Sequence, residues 1–100
     1  MDGKRGEAMS KYVLKLYVTG HTSASVRAAA NLRRICEEEL GGQYELFIID
    51  ILERPQLAQD EKILATPMLI KELPLPLRRV IGDLSNKEQV LLGLDYYPAV

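Results

Sequence analysis

Tyr12, Leu14, Leu16 and Val18 alternate with Val13, Lys15 and Tyr17, a period of two that predicts a β-strand over Tyr12–Val18. The residues before it, 1–11, are polar, contain glycine and have no periodicity, so a loose tail is expected there and a single domain over 12–100. Gly20 breaks the strand, and Thr22 or Ser23 can accept a hydrogen bond from a free N–H at a helix start. A helix is predicted from Ala24 to Leu40, because Ala28, Leu32, Cys36 and Leu40 form an i, i+4 ridge flanked by Ala29 and Ile35, with Arg27, Asn31, Arg34 and Glu38 opposite. Gly41 and Gly42 end it, since glycine takes the left-handed conformation without steric cost. Tyr44–Ile51 is then apolar on both faces from Leu46 to Ile49, the pattern of a central strand covered on both sides. Strand, crossover helix and strand make a parallel βαβ unit.

In the second half, Pro55 suits a first helical turn, where its missing N–H is harmless, and a second helix is predicted over Pro55–Leu64. Thr66-Pro67 precedes a strand over Met68–Leu73, and Leu73-Pro74-Leu75-Pro76-Leu77 reads as a stiff, extended connection to a last strand over Leu77–Ile81. Ser85-Asn86-Lys87-Glu88 has the S-x-x-E capping-box pattern, so a third helix should start there and turn Val90, Leu91 and Leu94 inward. The order is βαβαββα. With a proline at the head of the third strand, this α/β order resembles the thioredoxin-like arrangement, and Ala65-Thr66-Pro67 and Ile81-Gly82-Asp83 resemble segments of thioredoxins and glutaredoxins.

One hundred residues fit one domain, and 13 Lys and Arg against 14 Asp and Glu leave a net charge of −1, which argues against nucleic acid as a partner. No apolar run approaches the roughly 20 residues of a membrane span, and MDGKRGEAMSK lacks a signal-like apolar stretch, so a cytoplasmic protein with no membrane partner is expected. A lone Cys36 and a lone His21 supply neither an internal disulfide nor a zinc cluster, and no cofactor is implied. Thioredoxins carry their cysteine motif after the first strand, where the helix N-terminus lowers the thiol pKa. This chain has Thr19-Gly20-His21-Thr22-Ser23 there, which excludes dithiol chemistry by residue type. Cys36 belongs to the core-facing ridge as a small hydrophobe, His21 to a solvated loop, and the Arg33-Arg34 and Arg78-Arg79 doublets to solvated surface.

Tyr12-Val13-Leu14-Lys15-Leu16-Tyr17-Val18, Ser25-Val26-Arg27, Pro55-Gln56-Leu57-Ala58, Lys62-Ile63-Leu64-Ala65-Thr66-Pro67, Arg78-Arg79-Val80-Ile81-Gly82-Asp83-Leu84-Ser85 and Gly93-Leu94-Asp95, in this order, resemble the KaiB family of circadian-clock proteins. The resemblance implies a non-enzymatic regulator that binds the KaiC ATPase ring, with KaiA and a KaiB-like histidine kinase sensor domain as further or competing partners. It also implies two folds. A resting homotetramer has the order βαββααβ and is the form expected in a crystal, while a thioredoxin-like monomer of order βαβαββα binds KaiC. By the same resemblance the KaiC-facing surface lies around Leu52, Gln56 and Lys62, on the strand exit and second helix, with Arg27 and the edge of the second strand as secondary contacts.

Pro67, Pro74, Pro76, Gly93 and Asp95 are the residues assigned to the switch between folds. X-Pro isomerisation is slow, and Gly93 weakens a helix by about 1 kcal/mol relative to alanine in a stretch, Val90-Leu91-Leu92, whose apolar run fits helix or strand. Leu75 stands between two prolines where the family often has a proline triplet, and the chain stops at Val100 without the acidic tail of many cyanobacterial members. A simpler timer or stress response with KaiC alone is therefore a further expectation. Two alternatives remain: a static, redox-inactive thioredoxin-like adaptor, and a glutathione-binding enzyme using Ser23 or Asp83, with Ser85 beside it at the third helix's start.

Overall fold

The computed structural model describes residues 11–97, and the tail expected over 1–11 lies outside them apart from Lys11, which pairs with Glu45. Strand β1 (Tyr12–Val18) is followed by helix α1 (Ser23–Ile35), strand β2 (Tyr44–Asp50), helix α2 (Pro55–Asp60), strands β3 (Met68–Leu73) and β4 (Arg78–Ile81), and helix α3 (Lys87–Gly93). This is the βαβαββα order of the thioredoxin-like arrangement, and the resting order βαββααβ is not the one this structure has.

Thr22 is the N-cap of α1, its hydroxyl accepting from the Ser25 N–H. The last turn, Cys36–Leu40, widens to a π-helix before Gly41 stops it at φ +52°. Lys87 of α3 pairs with Glu38 and Glu39 on that turn, at 2.9 and 2.7 Å, and the Tyr96 hydroxyl donates to the Glu39 carbonyl at 2.8 Å. The end of α1 thus anchors both ends of the C-terminal helical segment.

The sheet order is β2-β1-β3-β4, with β1 and β2 parallel and β3 antiparallel to both β1 and β4. Leu14, Leu16 and Val18 of β1, with Leu69 of β3, face α1 and α3 and join Ala28, Leu32, Ile35, Cys36, Val90, Leu91 and Leu94 in the main core. The opposite face carries a smaller cluster of Tyr17, Met68 and Ile70, which Ile49, Ile51, Leu57 and Ile63 partly cover. α2 is the helix associated with this second face, and it buries no residue fully.

Four expectations are corrected. Tyr44–Asp50 is an edge strand, because β3 occupies the other side of β1. Leu46 and Ile48 pack under α1, while Phe47 on the sparsely covered face stays 47% exposed. The second helix stops at Asp60, and Lys62 lies beyond it in the left-handed region at φ +56°, a conformation that ends a helix. Residues 73–77 form no extended connection but turn the chain back, so that Lys71 pairs across from Arg78, with both Leu73-Pro74 and Leu75-Pro76 in cis. The cap of α3 is Asn86, whose side chain accepts from the Gln89 N–H. Ser85 instead folds onto Asp83, its N–H donating to Oδ1 at 3.1 Å.

Candidate partner-binding surface

The outer edge of β2 has no strand beside it among the described residues, and a cleft opens on each side of it. One, of about 510 Å³, runs between β2 and α1 and is lined by Val26, Ala29, Ala30 and Arg33 opposite Ile48 and Asp50. The other, also about 510 Å³, lies on the opposite face against Lys15, Phe47, Ile49 and Arg54. An extended segment laid along this edge would meet free main-chain groups, with its alternate side chains directed into the two clefts.

Asp50 organises the turn that leaves β2. Its Oδ1 accepts from the N–H groups of Gly20, at 3.0 Å, and Leu52, at 2.9 Å, and these two bonds hold its carboxyl below the usual carboxylate range. The Glu53 and Arg54 amides fold back onto the Asp50 carbonyl, and the Ile51 N–H donates to Val18. This rigid turn presents Leu52 with 69% of its surface exposed. Gln56 follows on the first turn of α2, its side chain donating to Asp60 at 2.9 Å.

Leu52 and Gln56 therefore flank the start of α2, while Lys62 stands past its end. Leu52 and Gln56 are exposed, Lys62 is exposed too, and no hydrogen bond or ion pair joins the three among the described residues. Leu64, two residues beyond Lys62, is 93% exposed and lines a shallow cleft with Lys62 and Ile63. Arg27 does not line the β2 clefts: it donates to Asp83 at 3.2 Å and Ser23 at 3.3 Å, on the side of α1 that leans toward the exit of β4. The cation in the cleft between β2 and α1 is Arg33, which the helical pattern alone assigns to solvated surface. A signal for the open face is present in the sequence, because Glu45 shares the Phe47 side of the strand, and a fully covered face would exclude it.

Where thioredoxins hold their cysteines, the chain has hydroxyls. Thr22 Oγ1 donates to Ser25 Oγ at 2.8 Å, Ser25 is buried, and Thr19 and Thr66 bond through their hydroxyls beside the cis Thr66-Pro67 bond. Cys36 is buried in the core, and burial, reinforced by Glu37, pushes its thiol up to about 11. Asp83 is held low by its bonds to Ser85 and Arg27. Among the described residues no cluster of His, Cys, Asp and Glu is placed to hold a metal, and no helix is long and apolar enough to cross a membrane.

Two of the residues assigned to a switch are tightly engaged. Gly93 ends α3 against Val80, and Asp95, at φ +56°, pairs with Arg78 at 2.8 Å.

Among solved structures the chain is similar to the N-terminal domain of Synechococcus elongatus SasA, with a TM-score of 0.71 at 18% identity over 95% of this chain and 93% of that one. It is also similar to oxidized mitochondrial thioredoxin 3 of Saccharomyces cerevisiae, with a TM-score of 0.69 at 14% identity, covering 87% of this chain and 79% of that one. These likenesses establish a thioredoxin-like fold. In sequence it is 59% identical to the circadian clock protein KaiB3 of Synechocystis sp. over 90% of this chain and 88% of the relative. It is 61% identical to the circadian clock oscillator protein KaiB of Synechococcus elongatus over 84% of this chain and 82% of the relative. The KaiB domain model matches residues 15–96, and the chain therefore belongs to the KaiB family of circadian-clock proteins.

Proposed function

We propose that this protein is a non-enzymatic regulator of a circadian clock or related timing system, and that in the thioredoxin-like form it binds the KaiC ATPase ring through the rim of Leu52, Gln56 and Lys62. The observation that carries this reading is the identity of about three residues in five to clock KaiB proteins over most of both chains. The exposed leucine on a hydrogen-bonded turn supports the location, since a preorganised apolar group loses little freedom on docking. The open edge of β2, with its two clefts, suits KaiA as a second partner that contributes an extended segment, while the KaiB-like kinase sensor domain competes with this protein. Arg27, engaged with Asp83, is assigned to a separate secondary contact on the β4 side of α1.

In the same proposal a resting homotetramer of order βαββααβ converts slowly to this monomer, with Pro67, Pro74, Pro76, Gly93 and Asp95 in the segment that rearranges. The test is the rate of complex formation with purified KaiC at rising KaiC concentration. A plateau set by the conversion is expected. A rate that climbs linearly with KaiC favours a static thioredoxin-like adaptor, and absence of a complex at any concentration removes the KaiC assignment altogether.

A further inference from the structure

Glu39, in the widened last turn of α1, holds two residues that lie on either side of α3. Its carboxylate pairs with Lys87, the first residue of that helix, at 2.7 Å. Its main-chain carbonyl accepts from the hydroxyl of Tyr96, beyond the helix end, at 2.8 Å. Glu38 brings a second carboxylate to Lys87 at 2.9 Å. The last carbonyls of a helix have no partner within it, so Tyr96 supplies a bond that α1 cannot make for itself. Tyr96 is fixed from two further sides: its ring meets Tyr12 edge to face with centroids 6.1 Å apart, and its N–H returns to the Leu91 carbonyl at 2.9 Å. Only 18% of the Glu39 side chain is exposed, which shields its ion pair more than an ordinary surface pair.

This clasp closes only while the segment it holds is helical. From Lys87 to Tyr96 is nine steps along the chain, which a helix covers in no more than about 14 Å and a strand in about 30 Å. The longer span exceeds what a lysine, a tyrosine and the glutamate between them can bridge. We propose that Glu39 is a fold-selecting residue, which by holding Lys87 and Tyr96 together favours the form whose last element is a helix over the βαββααβ form, whose last element is a strand. The inference rests on the proposal that the chain has two forms. It adds a determinant in the first half of the chain, whereas Pro67, Pro74, Pro76, Gly93 and Asp95 all lie in the segment that rearranges. Arg27 and Asn31 act from the same helix, donating to the Asp83 carboxylate at 3.2 Å and carbonyl at 2.9 Å, so α1 fastens the C-terminal segment before, at the start of and after α3.

Sedimentation of the full chain over a range of concentrations, with NMR to identify the monomer as the thioredoxin-like form, compares wild type with Lys87→Met, Tyr96→Phe, Glu39→Gln and their pairwise combinations. Tyr96→Phe should shift the monomer–tetramer equilibrium, per chain, about fivefold toward the tetramer. Lys87→Met, whose ion pair is partly exposed, should shift it about twofold in the same direction. Glu39→Gln removes the carboxylate and keeps the carbonyl, so its effect should shrink in the Lys87→Met background and persist in full beside Tyr96→Phe. Amide exchange across residues 87–93 of the monomer should quicken in each variant. Two forms whose balance none of these changes moves, or a Glu39→Gln effect equal in every background, would overturn the fold-selecting role and leave the two-form proposal standing. A wild type with a single form at every concentration would remove both.

Discussion

Gly93, the last residue of α3, lies so close to Val80 of β4 that a Cβ on it would come within 2.6 Å of Val80 Cγ2. Helix propensity alone gives Gly93→Ala a gain of about 1 kcal/mol in this fold. Overpacking against a stiff β-branched neighbour costs about 1–3 kcal/mol, so the two effects oppose each other. Gly93→Ala should therefore be better tolerated in a Val80→Ala background, with a double-mutant coupling of about 1 kcal/mol or more by denaturant unfolding. Additive single effects would mean that α3 does not pack on β4 this closely.

The hydroxyls of Thr22 and Ser25, 2.8 Å apart at the start of α1, occupy a C-x-x-C spacing. The variant Thr22→Cys with Ser25→Cys should close a disulfide under mild oxidation and lose reactivity toward a thiol reagent until reduced. Cys36, buried and with its thiol pushed up to about 11, should stay unreactive in the folded chain. Two persistently free thiols at 22 and 25 would contradict this helix start.

Tyr17 is fully buried on the second face of the sheet, and its hydroxyl has no hydrogen-bond partner among the described residues. A buried hydroxyl without a partner costs about 1–3 kcal/mol. Tyr17→Phe is expected to be neutral to stabilising, by up to about 1 kcal/mol, read from the denaturation midpoint. A clear loss of stability would reveal a partner for this hydroxyl.

Asp50 accepts two backbone hydrogen bonds that hold its carboxyl low. The folded chain then keeps this proton off more readily than the unfolded one. Its contribution to stability is complete above the unfolded value of about 3.9 and is lost as pH falls through the folded value. Asp50→Asn should flatten the acid limb of the stability–pH curve below about pH 5. It should also speed amide exchange at Gly20 and Leu52, and unchanged exchange there would remove Asp50 as the organiser of the turn.

Leu52→Asp should leave the denaturation midpoint nearly unchanged, because the side chain is exposed. If Leu52 is buried in the KaiC contact, the loss of about 1.5–3 kcal/mol of apolar burial weakens binding roughly tenfold or more. Full binding by a folded Leu52→Asp chain would move the contact elsewhere.

The order of elements is legible because each signal is local. Alternation over Tyr12–Val18, the four-residue ridge from Ala28 to Leu40 and the glycines after it act within a few residues, so the strand, the helix and its stop follow from the chain alone. The same holds for the inward set Val90, Leu91 and Leu94. The capping of α3 departs from its pattern because Asp83 competes for Ser85 and leaves the cap to Asn86, a choice between neighbours that propensity does not resolve.

Sheet position was decided by tertiary structure, since a strand's own residues do not say which strand lies beside it. Leu46–Ile49 reads as fully covered, yet β3 inserts beside β1 on the far side and leaves β2 at the edge with Phe47 in solvent. Long-range packing likewise turned Arg27 toward Asp83 and Arg33 toward β2, buried Lys71 in the core layer, and pressed Gly93 against Val80. Local sequence determines which elements form and which side of each is apolar. Which neighbour covers that side, and so which residues remain free to meet a partner, depends on contacts between distant parts of the chain that no local period encodes.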